Sequence, residues 1–240
     1  MSSEQYLVNL TKIGTLRINN MGKAGNFNGK YKSINEIPMY NSYPVEHNNA
    51  IERPIGQLIS SDEELLAKVS TLQKPSINIV ELGCETCCRI YHMLNKHSTS
   101  IVNKYYGVDL EEIIATSTIK TNENVLLTTS VYDIQEKVDI FYSNSALQYV
   151  LNPYECLTHI FTLCPTYIIF NRTPFTTDDE FITLQLFSGR RFPWTFFGIE
   201  KFVSFFESNG YKLESKEVYQ EMNMENTTNE NLCFKKINNG

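Results

Sequence analysis

The residues best suited to chemistry stand directly behind short apolar runs. Glu81-Leu82-Gly83-Cys84-Glu85-Thr86-Cys87 closes the first run, Asp109 the second, Ser130-Val131-Tyr132-Asp133 the third, and Ser143-Asn144-Ser145-Ala146-Leu147-Gln148-Tyr149 the fourth. A glycine after a strand lets the backbone approach a ligand with no side chain between, so Gly83 and Cys84 are candidate ligand contacts. An acid in the place of Asp109 can accept both hydroxyls of a ribose. Behind the fifth run, Arg172 presents a planar fork that suits phosphate or carboxylate, the alternative being an ion pair that fixes its segment. Trp194, beside Pro193, is a candidate sugar-stacking face in a stretch whose aromatics otherwise read as core.

Other chemistry is less well supported by spacing. Cys84, Cys87 and Cys88 are close together, but zinc needs about four ligands and no second Cys or His pair follows, so no metal is expected. His92, His97 and His159 fall in predicted helices away from strand ends, and His47 reaches a site only if the N-terminal segment folds over it. A Gly-x-Gly-x-x-Gly turn for a nicotinamide cofactor is absent. The chain carries 21 basic and 27 acidic side chains, a formal net charge of −6, with no basic run to follow a phosphate backbone. Nucleic acid is therefore not an expected partner. No apolar stretch reaches the roughly 18 residues of a membrane span, and Met1-Ser-Ser-Glu-Gln lacks the basic-then-apolar order of a signal peptide. A cytoplasmic protein with reduced cysteines is expected.

The elements that position these residues follow from periodicity. Residues 1–60 are polar, rich in Asn, Gly and Tyr, and interrupted by Pro38, Pro44 and Pro54, which predicts an N-terminal extension. Ser61 and Glu64 form a capping box before Leu65, Leu66, Val69 and Leu72 at helical spacing. Apolar runs at 77–82, 105–108, 125–129, 138–142 and 167–170 then alternate with helical stretches, the pattern of a parallel sheet built from βαβ units. Asn152 and Pro153 open a crossover helix. Residues 171–198 break the rhythm and read as an insert on the substrate side. A helix at 199–209 with Gly210 behind it, and strands at 211–218 and 232–237 joined by a polar loop, complete the chain. The 240 residues thus divide into an extension (1–60) and one α/β domain (61–240).

The loop Glu81-Leu82-Gly83-x-Glu85-x-Cys87 resembles the acidic-x-Gly-x-Gly-x-Gly signature of class I S-adenosylmethionine-dependent methyltransferases, with Glu85 and Cys87 in place of the second and third glycines. The ordered set Ser145-x-Leu147-Gln148-Tyr149, Arg172-Thr173-Pro174-Phe175, Gln185 and Pro193-Trp194 resembles one methyltransferase family commonly encoded among bacterial surface-polysaccharide genes. The segment 27–33 resembles its N-terminal Gly-x-Tyr stretch. The resemblance implies a Rossmann-like fold with a seven-stranded, mostly parallel sheet, flanking helices and S-adenosylmethionine as cofactor. It implies cofactor contacts from Glu81 to the ammonium group, from Gly83 and Cys84, from Asp109 to the ribose, from Asp133 to the adenine amino group, and from Ser143 and Asn144 beside the methyl. Arg172, Gln148, Tyr149 and Trp194 then face a small carbohydrate acceptor, and the implied reaction is O-methylation of a sugar or sugar nucleotide. An acceptor hydroxyl needs a base, for which Asp178, Asp179, Tyr149 and His47 are all candidates. The substitutions at Glu85 and Cys87 leave a second reading open: a methyltransferase-like scaffold that has lost catalysis.

Overall fold

The computed structural model describes residues 25–37, 40, 62–86, 88–187 and 189–237. In chain order the described elements are β1 (Phe27–Tyr31), α1 (Glu63–Leu72), β2 (Ser76–Leu82), α2 (Arg89–His97), β3 (Ile101–Val108), α3 (Glu111–Ala115), β4 (Val125–Thr128), β5 (Ile140–Asn144), α4 (Pro153–Thr162), β6 (Tyr167–Thr176), β7 (Phe181–Phe187), β8 (Arg190–Gly198), α5 (Ile199–Ser208), β9 (Tyr211–Glu221) and β10 (Thr227–Lys236). Parallel pairing joins β4, β3, β2, β5 and β6 in that spatial order, and β10 and then β9 add antiparallel beyond β6.

Among the described residues the sheet holds ten strands where seven were expected. The three additional strands come from segments whose mixed aromatic and polar composition concealed their pairing. β7 and β8 form an antiparallel hairpin, so much of 171–198 is strand and not irregular insert. β1 adds to the outer edge of β7 with Phe27 opposite Gln185. The hairpin is anchored because β6 outruns β5 and pairs Phe175 and Thr176 with Phe197 and Gly198 of β8.

Both faces of the central strands are covered, which is why β2 reads as a nearly unbroken apolar run. One face packs Ile79, Tyr105, Tyr142 and Ile169 against Leu65 and Val69 of α1 and Met93 and Leu94 of α2. The other packs Phe141, Phe170 and Phe234 against Leu157 and Ile160 of α4 and Phe202 and Phe206 of α5. Phe206 stacks on Phe234 with centroids 4.0 Å apart. Removing either ring to Ala would cost about 3–5 kcal/mol.

The start of α1 differs from the expected capping box. Ser61 lies outside the described residues, Asp62 is the N-cap residue and makes no side-chain cap, and Glu64 accepts a hydrogen bond from Ser215 Oγ. Asp62 instead meets Arg89, the first residue of α2, through two bonds of 2.6 and 2.8 Å. The two helix starts behind and before β2 are thereby tied together.

Candidate functional site

β2 lies between β3 and β5, so the chain crosses over at this point and the loops behind β2 and β5 diverge from a shared crevice. Gly83 has φ +82°, donates its N–H to Val108 O at 2.8 Å, and sits where an added Cβ would come within 2.5 Å of Ala146 Cβ. Only glycine allows the loop behind β2 to lie this close to the loop behind β5. Glu85 takes φ +57°, the left-handed backbone a glycine would adopt at no cost. For an L-residue this conformation costs about 1–2 kcal/mol. The Glu85 N–H donates to Asp109 Oδ2 at 2.9 Å, which holds the turn. Cys87 and His47 lie outside the described residues.

Asp109, at the exit of β3, also accepts the Leu110 N–H on Oδ1 at 2.8 Å. Burial pushes its carboxyl upward against the opposing pull of these two bonds. Each carboxylate oxygen retains a further acceptor position for a hydroxyl. Asp133, behind β4, is exposed and accepts from Thr128 Oγ1. Leu110 and Tyr132 beside these acids are 43% and 51% exposed, two apolar surfaces flanking two acceptors. Sequence reading passed over both, although each is a large apolar residue adjacent to a candidate acid.

Glu81 is placed differently from its expected role. Its carboxyl is buried and accepts the Tyr105 hydroxyl on the face covered by α1 and α2. Burial raises it well above the ordinary carboxylate range, and this outweighs the Tyr105 hydrogen bond and the Arg89 charge. Cys84 is also turned into that face. The residue is 2% exposed, and hydrogen bonding to Cys88 together with burial raises its thiol, while the same bond lowers that of Cys88. What Cys84 offers the crevice is therefore backbone. Among the described residues no group of three or more His, Cys, Asp or Glu side chains could hold a metal ion.

At the end of β5, Ser143 is fully buried and its Oγ lacks a partner. Asn144 Oδ1 accepts Arg172 Nε at 2.7 Å. Ser145 takes φ +57°, donates its N–H to Asn171 O, and accepts Gln148 Nε2 at 2.9 Å. Tyr149 donates its hydroxyl to Gln185 Oε1 on β7 at 3.0 Å and stands edge-on to Trp194 of β8 at 5.1 Å. Phe27 of β1 packs on the same indole at 5.5 Å. Residues spread from β1 to β8 thus form one connected group. Trp194 is a correction within it: only 4% exposed, the indole has no open face to stack on a sugar, and its Nε1 is buried without a partner.

Of the residues considered as a base, Tyr149 belongs to this group. Asp178 and Asp179 lie on the turn between β6 and β7, where Asp178 accepts from Asn226 of the β9–β10 turn. A separate open groove of about 280 Å³ runs between the start of α4 and the hairpin, lined by Lys32, Leu151, Tyr154, Phe181 and Thr195, and shares no residue with the loops behind β2, β3 and β4.

No protein-family profile matches the chain, and no curated protein matches it. Solved structures do. One is a protein assigned as an S-adenosylmethionine-dependent methyltransferase from Listeria monocytogenes, 13% identical, covering 73% of this chain and 97% of that one with a TM-score of 0.53. Another is an S-adenosylmethionine-dependent methyltransferase from Mesorhizobium loti, 12% identical over 74% of this chain and 98% of that one, TM-score 0.51. A third is magnesium protoporphyrin IX methyltransferase from Synechocystis with bound S-adenosylmethionine, 11% identical over 80% of each chain, TM-score 0.50. The fold is that of S-adenosylmethionine-dependent methyltransferases.

Proposed function

We propose that the protein binds S-adenosylmethionine across the carboxyl ends of β2 to β5 and methylates a hydroxyl of a small carbohydrate acceptor. The observation that carries the reading is the turn at the crossover. The chain keeps a glycine-type backbone at Gly83 and Glu85 and ties it to Asp109, although only one of the two residues is glycine. Strained backbone of this kind gathers at ligand sites.

The donor set fits the nucleoside end of the cofactor. Asp109 would take the ribose hydroxyls on its remaining acceptor positions, Asp133 the adenine amino group, and Leu110 and Tyr132 the faces of the base. Gly83 and the backbone of Cys84 would lie along the methionine portion, with Ser143 and Asn144 beside it. When bound, S-adenosylmethionine supplies an electrophilic methyl carbon on a sulfonium sulfur. The chain's part is to align the acceptor for in-line displacement, with the hydroxyl's proton passing to a base. Tyr149, whose hydroxyl is committed as a donor to Gln185 Oε1, is assigned to orienting the acceptor and not to taking its proton.

The carbohydrate acceptor is supported by polar groups on and around the loop behind β5: Gln148 bonded to Ser145, Tyr149 bonded to Gln185 of β7 beside the Trp194 ring, and Arg172 of β6 bonded to Asn144. The scaffold alternative has its own support: Glu81 is bound to Tyr105, and both oxygens of Asp109 already accept backbone N–H groups. Calorimetric titration with S-adenosylhomocysteine separates the two. The enzyme reading expects saturable one-to-one binding. Absence of binding up to about 1 mM, a free energy weaker than about 4 kcal/mol, would leave the scaffold.

A further inference from the structure

Arg172 is held in an unusual state. Its backbone takes φ +51°. The register of β6 on β10 places Thr173 opposite Glu230 and Phe170 opposite Leu232, so Asn171 and Arg172 together face Asn231. The Arg172 N–H leaves the ladder and donates to Asn231 Oδ1 at 3.0 Å, and Nε donates to Asn144 Oδ1 at 2.7 Å. The first bond fixes the backbone and the second the side chain, and neither neutralises the guanidinium. No carboxylate among the described residues forms an ion pair with it, in contrast to Arg89 on Asp62. A partly buried guanidinium without a counter-charge is costly, and a left-handed arginine at a bulge adds strain of the kind that gathers at ligand sites.

A second unsatisfied group is held by Ser145, the residue after Asn144 in the chain. Gln148 is 1% exposed, its Nε2 is committed to Ser145 Oγ, and its Oε1 has no partner. Asn144 and Ser145, adjacent in the chain, therefore position a cation with two free terminal nitrogens and a buried acceptor that lacks a donor.

We infer that the acceptor is a hydroxylated anion: a carboxylate or phosphate ester binds the two terminal nitrogens of Arg172, and a hydroxyl donates to Gln148 Oε1. The inference rests on the methyltransferase reading and narrows its substrate class. A planar guanidinium anchored through Nε presents its Nη pair as a fork that both anions match.

The test is calorimetry on the full chain with glucose 1-phosphate, glucuronate and methyl glucoside, each with and without saturating S-adenosylhomocysteine. One of the two anionic probes should bind about tenfold or more tighter than the neutral one, as expected for charge-assisted hydrogen bonds, and which one does so separates phosphate from carboxylate. Arg172→Gln should abolish that preference and leave S-adenosylhomocysteine affinity unchanged. Asn144→Ala, which keeps the charge and frees Nε, should reduce the preference several-fold and serves if Arg172→Gln does not fold. Equal binding of all three probes, no binding of either anion, or a preference that survives both substitutions overturns the inference. Loss of S-adenosylhomocysteine binding in Arg172→Gln also overturns it, by moving the arginine to the cofactor's own carboxylate. If S-adenosylhomocysteine fails to bind the unmodified chain, the methyltransferase reading falls separately, and the titrations without it still decide the anion site.

Discussion

Asp109→Ala should produce two effects that can be measured apart. The first is on the loop behind β2. Asp109 accepts the N–H of Glu85 at 2.9 Å and of Leu110 at 2.8 Å, and each hydrogen bond to a carboxylate is worth about 1.5–3 kcal/mol net. Against this stands the burial that raises the carboxyl, so the loss on truncation should be about 2 kcal/mol. For a chain of this size that lowers the melting temperature by roughly 4–8 °C. Asp109→Asn keeps one oxygen for one of the two donors and should lose about half as much. The second effect is on the ligand: leaving ribose hydroxyls unpaired costs about 1–3 kcal/mol, roughly 5- to 150-fold in S-adenosylhomocysteine affinity. Thermal and urea unfolding without ligand measure the first, calorimetry the second. A variant with the expected loss of stability but unchanged affinity would confine Asp109 to tying the loop and remove it from the ribose. A variant unchanged in both would refute the account of this site.

Two further outcomes test the packing beneath the crevice. Asp62→Ala leaves Arg89, only 4% exposed, without its two-point partner and should destabilise by about 3–5 kcal/mol, read by urea unfolding; adding Arg89→Met should recover most of the loss, and an additive double variant would contradict the pairing. Glu81→Gln keeps an acceptor for Tyr105 but cannot ionise. Because burial raises the Glu81 carboxyl in the folded state, its contribution to stability is fully present below the unfolded value near 4.3 and is lost as pH rises toward the folded value. The variant should therefore match the unmodified chain at low pH and become the more stable of the two as pH increases, whereas a constant difference across pH would show that Glu81 titrates as if exposed.

The parallel half of the fold was legible because burial on both faces writes itself into the chain. β2 to β6 overlap the apolar runs at 77–82, 105–108, 125–129, 138–142 and 167–170, and α5 occupies 199–208 behind a phenylalanine-rich face. The hairpin was not legible. β7 and β8 alternate aromatic with polar residues, and the polar ones meet partners that periodicity cannot supply: Gln185 receives Tyr149, and Thr183 reaches back to Gly29 of β1. The extension to β6 was missed for a related reason. Arg172, Thr173 and Pro174 look like the end of a strand, yet pairing with β10 carries it on to Thr176 after one bulge.

The site was legible where a side chain's role depends on its position behind a strand, and obscure where it depends on what lies across the fold. Asp109 and Asp133 stand at strand exits as their spacing implied. Glu81 has the same kind of position, but the next strand places Tyr105 against it, and a phenol at hydrogen-bonding distance inside a closed layer takes the carboxyl away from the crevice. The glycine loop shows the converse. Its sequence departs from the signature at Glu85, which suggested a lost site, but a signature of glycines is a record of backbone angles, and angles can be kept by other means. Here an acid 24 residues further along the chain accepts the Glu85 N–H and offsets the cost of a left-handed glutamate. The substitution and its compensation belong to different βα units and meet only once β2 and β3 are paired, so the turn could be recognised in the folded chain and not in the string of residues.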